Sequence, residues 1–449
     1  FLYTILMENA LIINGGKKLG GEITLSGAKN AALKLIIASL LFDNQKVILK
    51  NIPQINDVKE LVRLIEQLGA RAKFIEKNTL EIDSSNLRFN KVDMLHASKI
   101  RVSFMLFAPL LYKFGECFIP NPGGCRIGAR PIDRIIEGMR ALGLEVNYSS
   151  DTGFYHAVLR KKPSGFYRFK KPTHTGTELL IMLSVFCQDK VVLKNCALEP
   201  EIDNLIDFLN RNGAQIKRKE DEIEIKGVKK LKFNNPFTII SDRNEAVTFI
   251  SLVIASFGKI KIKPIDEKSL FAFHQKLKEA GVLVVKEGKD SFVYRSYQQI
   301  LKSTNIETSP HPGFMTDWQP NWTVLMTQAK GKSTIIERVF ENRFAYVYEL
   351  RKFGAKIDFL DLAVDNREDY YFFNCEKDKN YQQAIFVHGP VDLHNAVVNV
   401  ADLRAGASLA VAALLAKGES VINGASILKR GYENFVEKVK SLGGEIKEI

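Results

Sequence analysis

Six segments of the 449-residue chain place a cation where a helix is expected to begin. They are Ser26-Gly27-Ala28-Lys29-Asn30, Ala129-Arg130-Pro131-Ile132-Asp133, Ser241-Asp242-Arg243, Glu341-Asn342-Arg343, Asp402-Leu403-Arg404 and Lys429-Arg430-Gly431. A helix start carries partial positive charge, so Lys or Arg there is unfavourable unless something offsets it. A single case reads as a solvated side chain, or as a partner of the adjacent Asp or Glu. Six cases at matching places point to a site for an anionic small molecule. Helix starts and the arginine fork both suit phosphate and carboxylate.

Two loops add reactive groups. Asn121-Pro122-Gly123-Gly124-Cys125-Arg126-Ile127-Gly128-Ala129-Arg130 sets one cysteine among glycines and arginines. Nearby cations favour the thiolate, so Cys125 is the candidate reactive thiol. Cys117, Cys187, Cys196 and Cys375 read as small buried hydrophobes. In Ser309-Pro310-His311-Pro312-Gly313-Phe314-Met315-Thr316-Asp317 the prolines prevent regular structure, and Asp317 opens the next helix. It reads as a helix cap or as a general base.

The elements that must position these groups repeat. A helical run closed by glycine recurs at Gly69, Gly143, Gly213, Gly281, Gly354 and Gly443, about every 70 residues. A second series interleaves with it: an apolar helical run, a turn, then a β-rich stretch such as Lys46-Val47-Ile48-Leu49-Lys50. Each unit reads as helix, strand, helix, then one or two strands. That predicts an α/β chain of six repeats, three in each of two domains. The last interval is longer, and the excess around Asp358–Gln383 is expected to form an extended hairpin or loop.

Composition narrows the class. Apolar residues at 46% and charged residues at 26% are ordinary for a globular chain and exclude disorder. Five cysteines without a C-x-x-C pair argue against a disulfide framework and a zinc site. Phe1–Glu8 is too short for a signal sequence, and the apolar run Ala405–Ala416 is too short to span a membrane. A cytoplasmic protein without membrane insertion is expected. The net charge of +13 fits anionic substrates; no motif for nucleic acid accompanies it.

The chain resembles the UDP-N-acetylglucosamine 1-carboxyvinyltransferase family of enolpyruvyl transferases. The resemblance rests on Ser26–Leu33, Pro122–Asp133, Glu199-Pro200-Glu201, Pro310-His311-Pro312, Thr316-Asp317, Phe340–Phe344, Asp402–Ala405 and Arg430–Glu433. It implies an inverse α/β barrel of βαβαββ units in two domains, 29–240 and 1–28 plus 241–449, with a cleft between them. It implies transfer of enolpyruvyl from phosphoenolpyruvate to the 3'-hydroxyl of UDP-N-acetylglucosamine, by addition and elimination, in peptidoglycan synthesis. No metal or organic cofactor is implied. Carried over by residue, Cys125 in the mobile loop 121–133 protonates the methylene carbon and is the thiol alkylated by fosfomycin. Asp317 is the base near the sugar hydroxyl. Lys29, Arg130 and Arg430 hold phosphoenolpyruvate, and Arg101, Arg343, Asp402 and Arg404 complete the charged site. Asn30, Pro131, Ile132, Asp133, Arg134, Thr173, His174, Thr175, Gly176 and Val339 contact the nucleotide sugar.

The chain departs from the commonest pattern at Lys34, usually proline, at Arg134-Ile135, and across Pro172–Glu178. None of these is a reacting group. The shikimate-pathway relative is disfavoured, because its usual Ser-Lys-Ser start is missing. A non-catalytic paralogue is disfavoured by the intact set Lys29, Cys125, Arg130, Asp317, Arg404 and Arg430. Oligomeric state is not readable from the sequence.

Overall fold

In the computed structural model the described residues are 9–124, 131–296, 300–376 and 379–449. They fall into two compact units: 26–124 with 131–241, and 9–25 with 242–449.

The first unit contains three repeats. Helix α1 (Lys29–Ser39) and helix α2 (Asn56–Gln67) flank the strand Lys46–Lys50 and are followed by the hairpin Arg71–Glu76/Thr79–Asp83. Next come α3 (Phe107–Phe114), Glu116–Pro120, α4 (Asp133–Ala141) and the hairpin Glu145–Ser149/Phe154–Val158. The third repeat has α5 (His174–Ser184), Lys190–Lys194, α6 (Pro200–Arg211) and the hairpin Gln215–Lys219/Glu222–Lys226.

The two helices of a repeat have different jobs. Helix α1 is buried on every side, nine of its eleven residues from Ala31 to Ser39, with Lys34 the one charged residue among them. Helix α2 buries Val58, Leu61, Leu64 and Ile65, a stripe at three- and four-residue spacing, and shows its other face to water. Gly69 ends it with φ of 105°, in the left-handed region that favours glycine, and its counterparts Gly143, Gly213, Gly281, Gly354 and Gly443 do the same. The sequence pattern of helix-closing glycines is therefore a conformational requirement.

The second unit repeats the plan with α7 (Arg243–Ala255), α8 (Phe271–Glu279), α9 (Gln319–Met326), α10 (Val347–Lys352), α11 (Leu403–Leu415) and α12 (Phe435–Ser441). Helices α7, α9 and α11 pack on one another in its interior. All thirteen residues of α7 and all eight of α9 are buried. Helix α11 is the apolar run near Ala405–Ala416, and among the described residues no helix is long and apolar enough to cross a membrane.

Sheet topology carries the repeat further. In five sheets a strand lies parallel to the first strand of a repeat, which pairs antiparallel with a hairpin or its equivalent. In the sheet of Glu116–Pro120 a single parallel bridge, Lys91 with Phe118, takes that place. The last repeat has only Glu445–Glu448 after α12, and Ala10–Gly15 supplies its missing strand, pairing with Gly418–Asn423 and Glu445–Glu448. Helices inside and sheets outside make each unit an inverse α/β barrel. The extra length of the fifth repeat is a loop, with a short helix Arg367–Tyr370, joining the antiparallel strands Lys356–Phe359 and Ala384–Gly389.

Three expected helix starts are displaced. Arg343 lies in the turn before α10, which begins at Val347. Arg430 ends the 3-10 segment Ala425–Arg430, and α12 begins only at Phe435. Pro131 precedes the first residue of α4 by two positions. In each case the helix forms later than its sequence signals place it, a tertiary detail that cap residues alone do not encode.

Candidate functional site

In the second unit, two arginines and two aspartates interlock at the starts of the inner helices. Asp317 stands one residue before Trp318, the capping position of α9, so it is not itself the cap. Its Oδ1 accepts from Arg343 Nη2 and its Oδ2 from Arg404 Nε, both at 3.2 Å. Arg343 Nη1 donates to Asp402 Oδ1 at 3.2 Å. The same oxygen caps α11 by accepting from the backbone N–H of Arg404 at 3.0 Å and of Ala405 at 3.1 Å. Thus Arg404 sits in the first turn of a helix, and Asp317 offsets its charge.

Burial differs across this network. The Arg343 and Arg404 side chains are 2% and 5% exposed, whereas Asp317 keeps 24%. The guanidiniums are dry, and the Asp317 side chain is only partly buried. Burial opposes the charge of Arg404, but Tyr432 and Asp317 more than offset it and raise its pKa. Arg404 lies 5.3 Å from the centre of the Tyr432 ring, and Tyr432 shares a 2.8 Å hydrogen bond with Thr248 of α7.

Beneath Asp317 lies a carboxylate that sequence reasoning missed. Glu337 is fully buried; its Oε1 accepts from the N–H of Val339 and of Phe340, and its Oε2 from Thr316 Oγ1. Burial raises its pKa, against the charge of Arg343 and these hydrogen bonds. Glu337 ties the turn containing Val339 to the residue next to Asp317. Nothing in its local sequence marks it, since an acidic residue ending a strand is ordinarily solvated. Arg243 opens α7 after its cap Asp242, is buried, and meets His311 Nδ1 at 3.1 Å. Arg430 is half-buried at the end of its 3-10 segment.

In the first unit, Lys29 is the first residue of α1 and its Nζ pairs with Asp57 Oδ2 of α2 at 2.5 Å, both side chains largely buried. Asn30 follows it. Arg101 opens the 3-10 segment Arg101–Leu106, with its guanidinium 5.9 Å from the Phe104 ring centre. Pro131 and Ile132 lead into α4, whose first turn holds Asp133 and Arg134; the Tyr167 hydroxyl donates to the Arg134 carbonyl at 2.9 Å. Thr173 caps α5 by accepting from Gly176 N–H, and His174 and Thr175 complete that turn. A Cβ on Gly176 would fall 2.4 Å from Thr173 Cγ2, so the turn requires glycine.

Cys125 and Arg130 lie outside the described residues. The preceding Gly123 packs so closely on Ser98 that a Cβ would lie 1.6 Å from its carbonyl oxygen. Of the other cysteines, Cys117, Cys187 and Cys196 are buried and Cys375 is half-buried; burial pushes the Cys196 thiol up to about 12.

The EPSP synthase (3-phosphoshikimate 1-carboxyvinyltransferase) family model matches residues 13–439. The chain belongs to this enolpyruvyl transferase family. It is 36% identical over 441 residues to a Coxiella burnetii protein named UDP-N-acetylglucosamine 1-carboxyvinyltransferase, covering 98% of this chain and 96% of that one. A Clostridium acetobutylicum protein named UDP-N-acetylglucosamine 1-carboxyvinyltransferase 1 is 37% identical over 443 residues, covering 98% and 100%. Among solved structures, the enolpyruvyl transferase NikO from Streptomyces tendae superposes with a TM-score of 0.84 at 22% identity, covering 98% of this chain and 99% of that one. EPSP synthase from Acinetobacter baumannii gives 0.71 at 14%, covering 98% and 100%. These likenesses show the fold of an enolpyruvyl transferase.

Proposed function

We propose that the chain transfers the enolpyruvyl group of phosphoenolpyruvate to the 3'-hydroxyl of UDP-N-acetylglucosamine and releases phosphate, in the cytoplasm, at the entry to peptidoglycan synthesis. The observation that carries this reading is the Asp317 carboxylate, fixed by Arg343 and Arg404 in a side chain that is only partly buried, in a chain whose full-length relatives carry that enzyme's name. A fixed carboxylate within reach of a hydroxyl suits proton abstraction, and fixed cations suit a substrate whose charge shifts during reaction.

In the proposed addition the 3'-hydroxyl oxygen bonds to C2 of phosphoenolpyruvate. Its proton passes to Asp317, and C3 gains a proton with help from Cys125. In the elimination C3 loses a proton, the C2–O bond to phosphate breaks, and phosphate leaves with the electron pair, restoring the double bond. Lys29, Arg130 and Arg430 are the proposed holders of phosphate and carboxylate. Arg101, Arg343, Asp402 and Arg404 set the surrounding charge. Asn30, Pro131–Arg134, Thr173–Gly176 and Val339 are the proposed nucleotide-sugar contacts.

The test is phosphate release from phosphoenolpyruvate with UDP-N-acetylglucosamine, with shikimate 3-phosphate, and with neither. Release that needs the nucleotide sugar and stops after fosfomycin treatment supports the reading. Release with shikimate 3-phosphate instead would replace the acceptor. Cys125→Asp is expected to turn over and to resist fosfomycin, because a carboxylic acid also delivers a proton; inactivation equal to the parent's would remove Cys125 from its role.

A further inference from the structure

Within the first unit, Lys34, His174 and Glu178 meet at one point. Glu178 of α5 has no exposed side-chain surface; its Oε2 lies 3.2 Å from Lys34 Nζ of α1 and its Oε1 3.2 Å from His174 Nε2. Lys34 is 3% exposed and His174 20%. Both contacts set a basic nitrogen against the carboxylate, so charge holds the group together. A carboxylate buried this deeply is costly without a cation, and Lys34 supplies one. The second oxygen is left to fix the imidazole one helical turn away.

Position gives the cluster a consequence. Helix α1 begins with Lys29 and Asn30, and α5 begins with Thr173 to Gly176. Glu178 therefore joins the two helices of this unit whose first turns carry proposed substrate contacts. His174 sits in the first turn of α5, where backbone N–H groups already favour an anion, and a second positive charge there strengthens that preference.

We propose that Lys34 and Glu178 are positioning residues that fix His174 as a charged contact for the diphosphate of the nucleotide sugar. The proposal rests on the functional reading above and adds to it a residue that discriminates charge. Burial lowers the His174 pKa, but Glu178, with Glu199 at the cap of α6, outweighs burial and Lys34 and leaves it raised. Helix α4, which also packs on α5, carries Asp133, Arg134 and Glu137. The imidazolium thus persists above the usual histidine range, and the contact weakens as pH rises through the raised value.

The test uses the full chain and compares the two substrates. His174→Asn and Glu178→Gln should each raise KM for UDP-N-acetylglucosamine about tenfold at neutral pH while KM for phosphoenolpyruvate moves less than twofold. His174→Lys should restore the low KM and remove its rise with pH. Lys34→Met/Glu178→Leu, which replaces the buried pair by apolar groups, should fold and show the same selective loss. Unchanged KM for the nucleotide sugar in His174→Asn, or equal increases for both substrates, would overturn the proposal. A parent protein that neither binds UDP-N-acetylglucosamine by calorimetry nor releases phosphate with it would overturn the functional reading, and this inference with it.

Discussion

Both units bury charged side chains on or next to their inner helices, by different means. In the second unit Asp317, Arg343, Asp402 and Arg404 form directed hydrogen bonds, each guanidinium reaching a carboxylate. In the first, Lys34, Glu178 and His174 are held by proximity of charge. The guanidinium is planar and presents several donors at fixed angles, whereas an ammonium acts as a point charge. One scaffold thus supports a rigid charged network and a titratable one. The difference extends to histidines. His174 in the first unit has a raised pKa, whereas His274 in the second is buried against Tyr294, and burial lowers its pKa to about 4.

The largest effect is expected at Asp317. Asp317→Ala should reduce kcat by roughly 10²–10⁴, the usual worth of a general base, with little change in nucleotide-sugar affinity. Loss confined to KM would make Asp317 a binding group and erase the chemical contrast between the units.

Stability variants come next. Arg343→Ala removes the buried cation shared by Asp317 and Asp402, leaving Asp317 to Arg404 and Asp402 to the N–H groups it caps, and should destabilise the protein by about 3–5 kcal/mol in urea unfolding. Lys34→Met/Glu178→Leu removes both charges together and should change stability by roughly 1 kcal/mol or less. Equal losses would mean that the two networks are energetically alike.

The histidines sharpen the contrast through pH. Because His274 has a lowered pKa in the folded chain, the unfolded chain binds its proton first. Its contribution is present above pH 6.5 and is lost as pH falls toward about 4, at most roughly 3 kcal/mol. For His174 the sign is reversed: its contribution is present below 6.5 and is lost as pH rises through the raised value. His274→Gln should flatten the acid side of the stability profile and His174→Asn the other side; a profile unmoved by both would refute the assignment. The smallest effect is expected at the exposed pair Lys46–Glu81, where Lys46→Ala should cost well under 1 kcal/mol.

Much of the repeat was legible because its signals are local. A helix-closing glycine needs a left-handed φ wherever it occurs, and the alternation in Lys46–Lys50 needs one buried face. Lys29 and Arg404 were legible as cations near helix starts, and Asp317 as an acid near the next helix. Their partners were not. Asp57, which balances Lys29, belongs to another helix, and Arg343 reaches Asp317 and Asp402 from a turn that had been expected to open a helix. Glu337 and Glu178 look like ordinary surface acids in sequence, and only packing puts them out of water.

The sequence by itself determined the six repeats, the two kinds of helix and the residue types available for handling anions, since each follows from backbone preference and periodicity within a few turns of chain. Tertiary structure alone decided which charges meet. Lys34 and Glu178 are far apart in the chain, and the 3.2 Å between them exists because α1 and α5 pack within the same barrel. Likewise Ala10–Gly15 completes the sheet of the last repeat, because strand pairing depends on which edge lies open in space, whatever the distance along the chain.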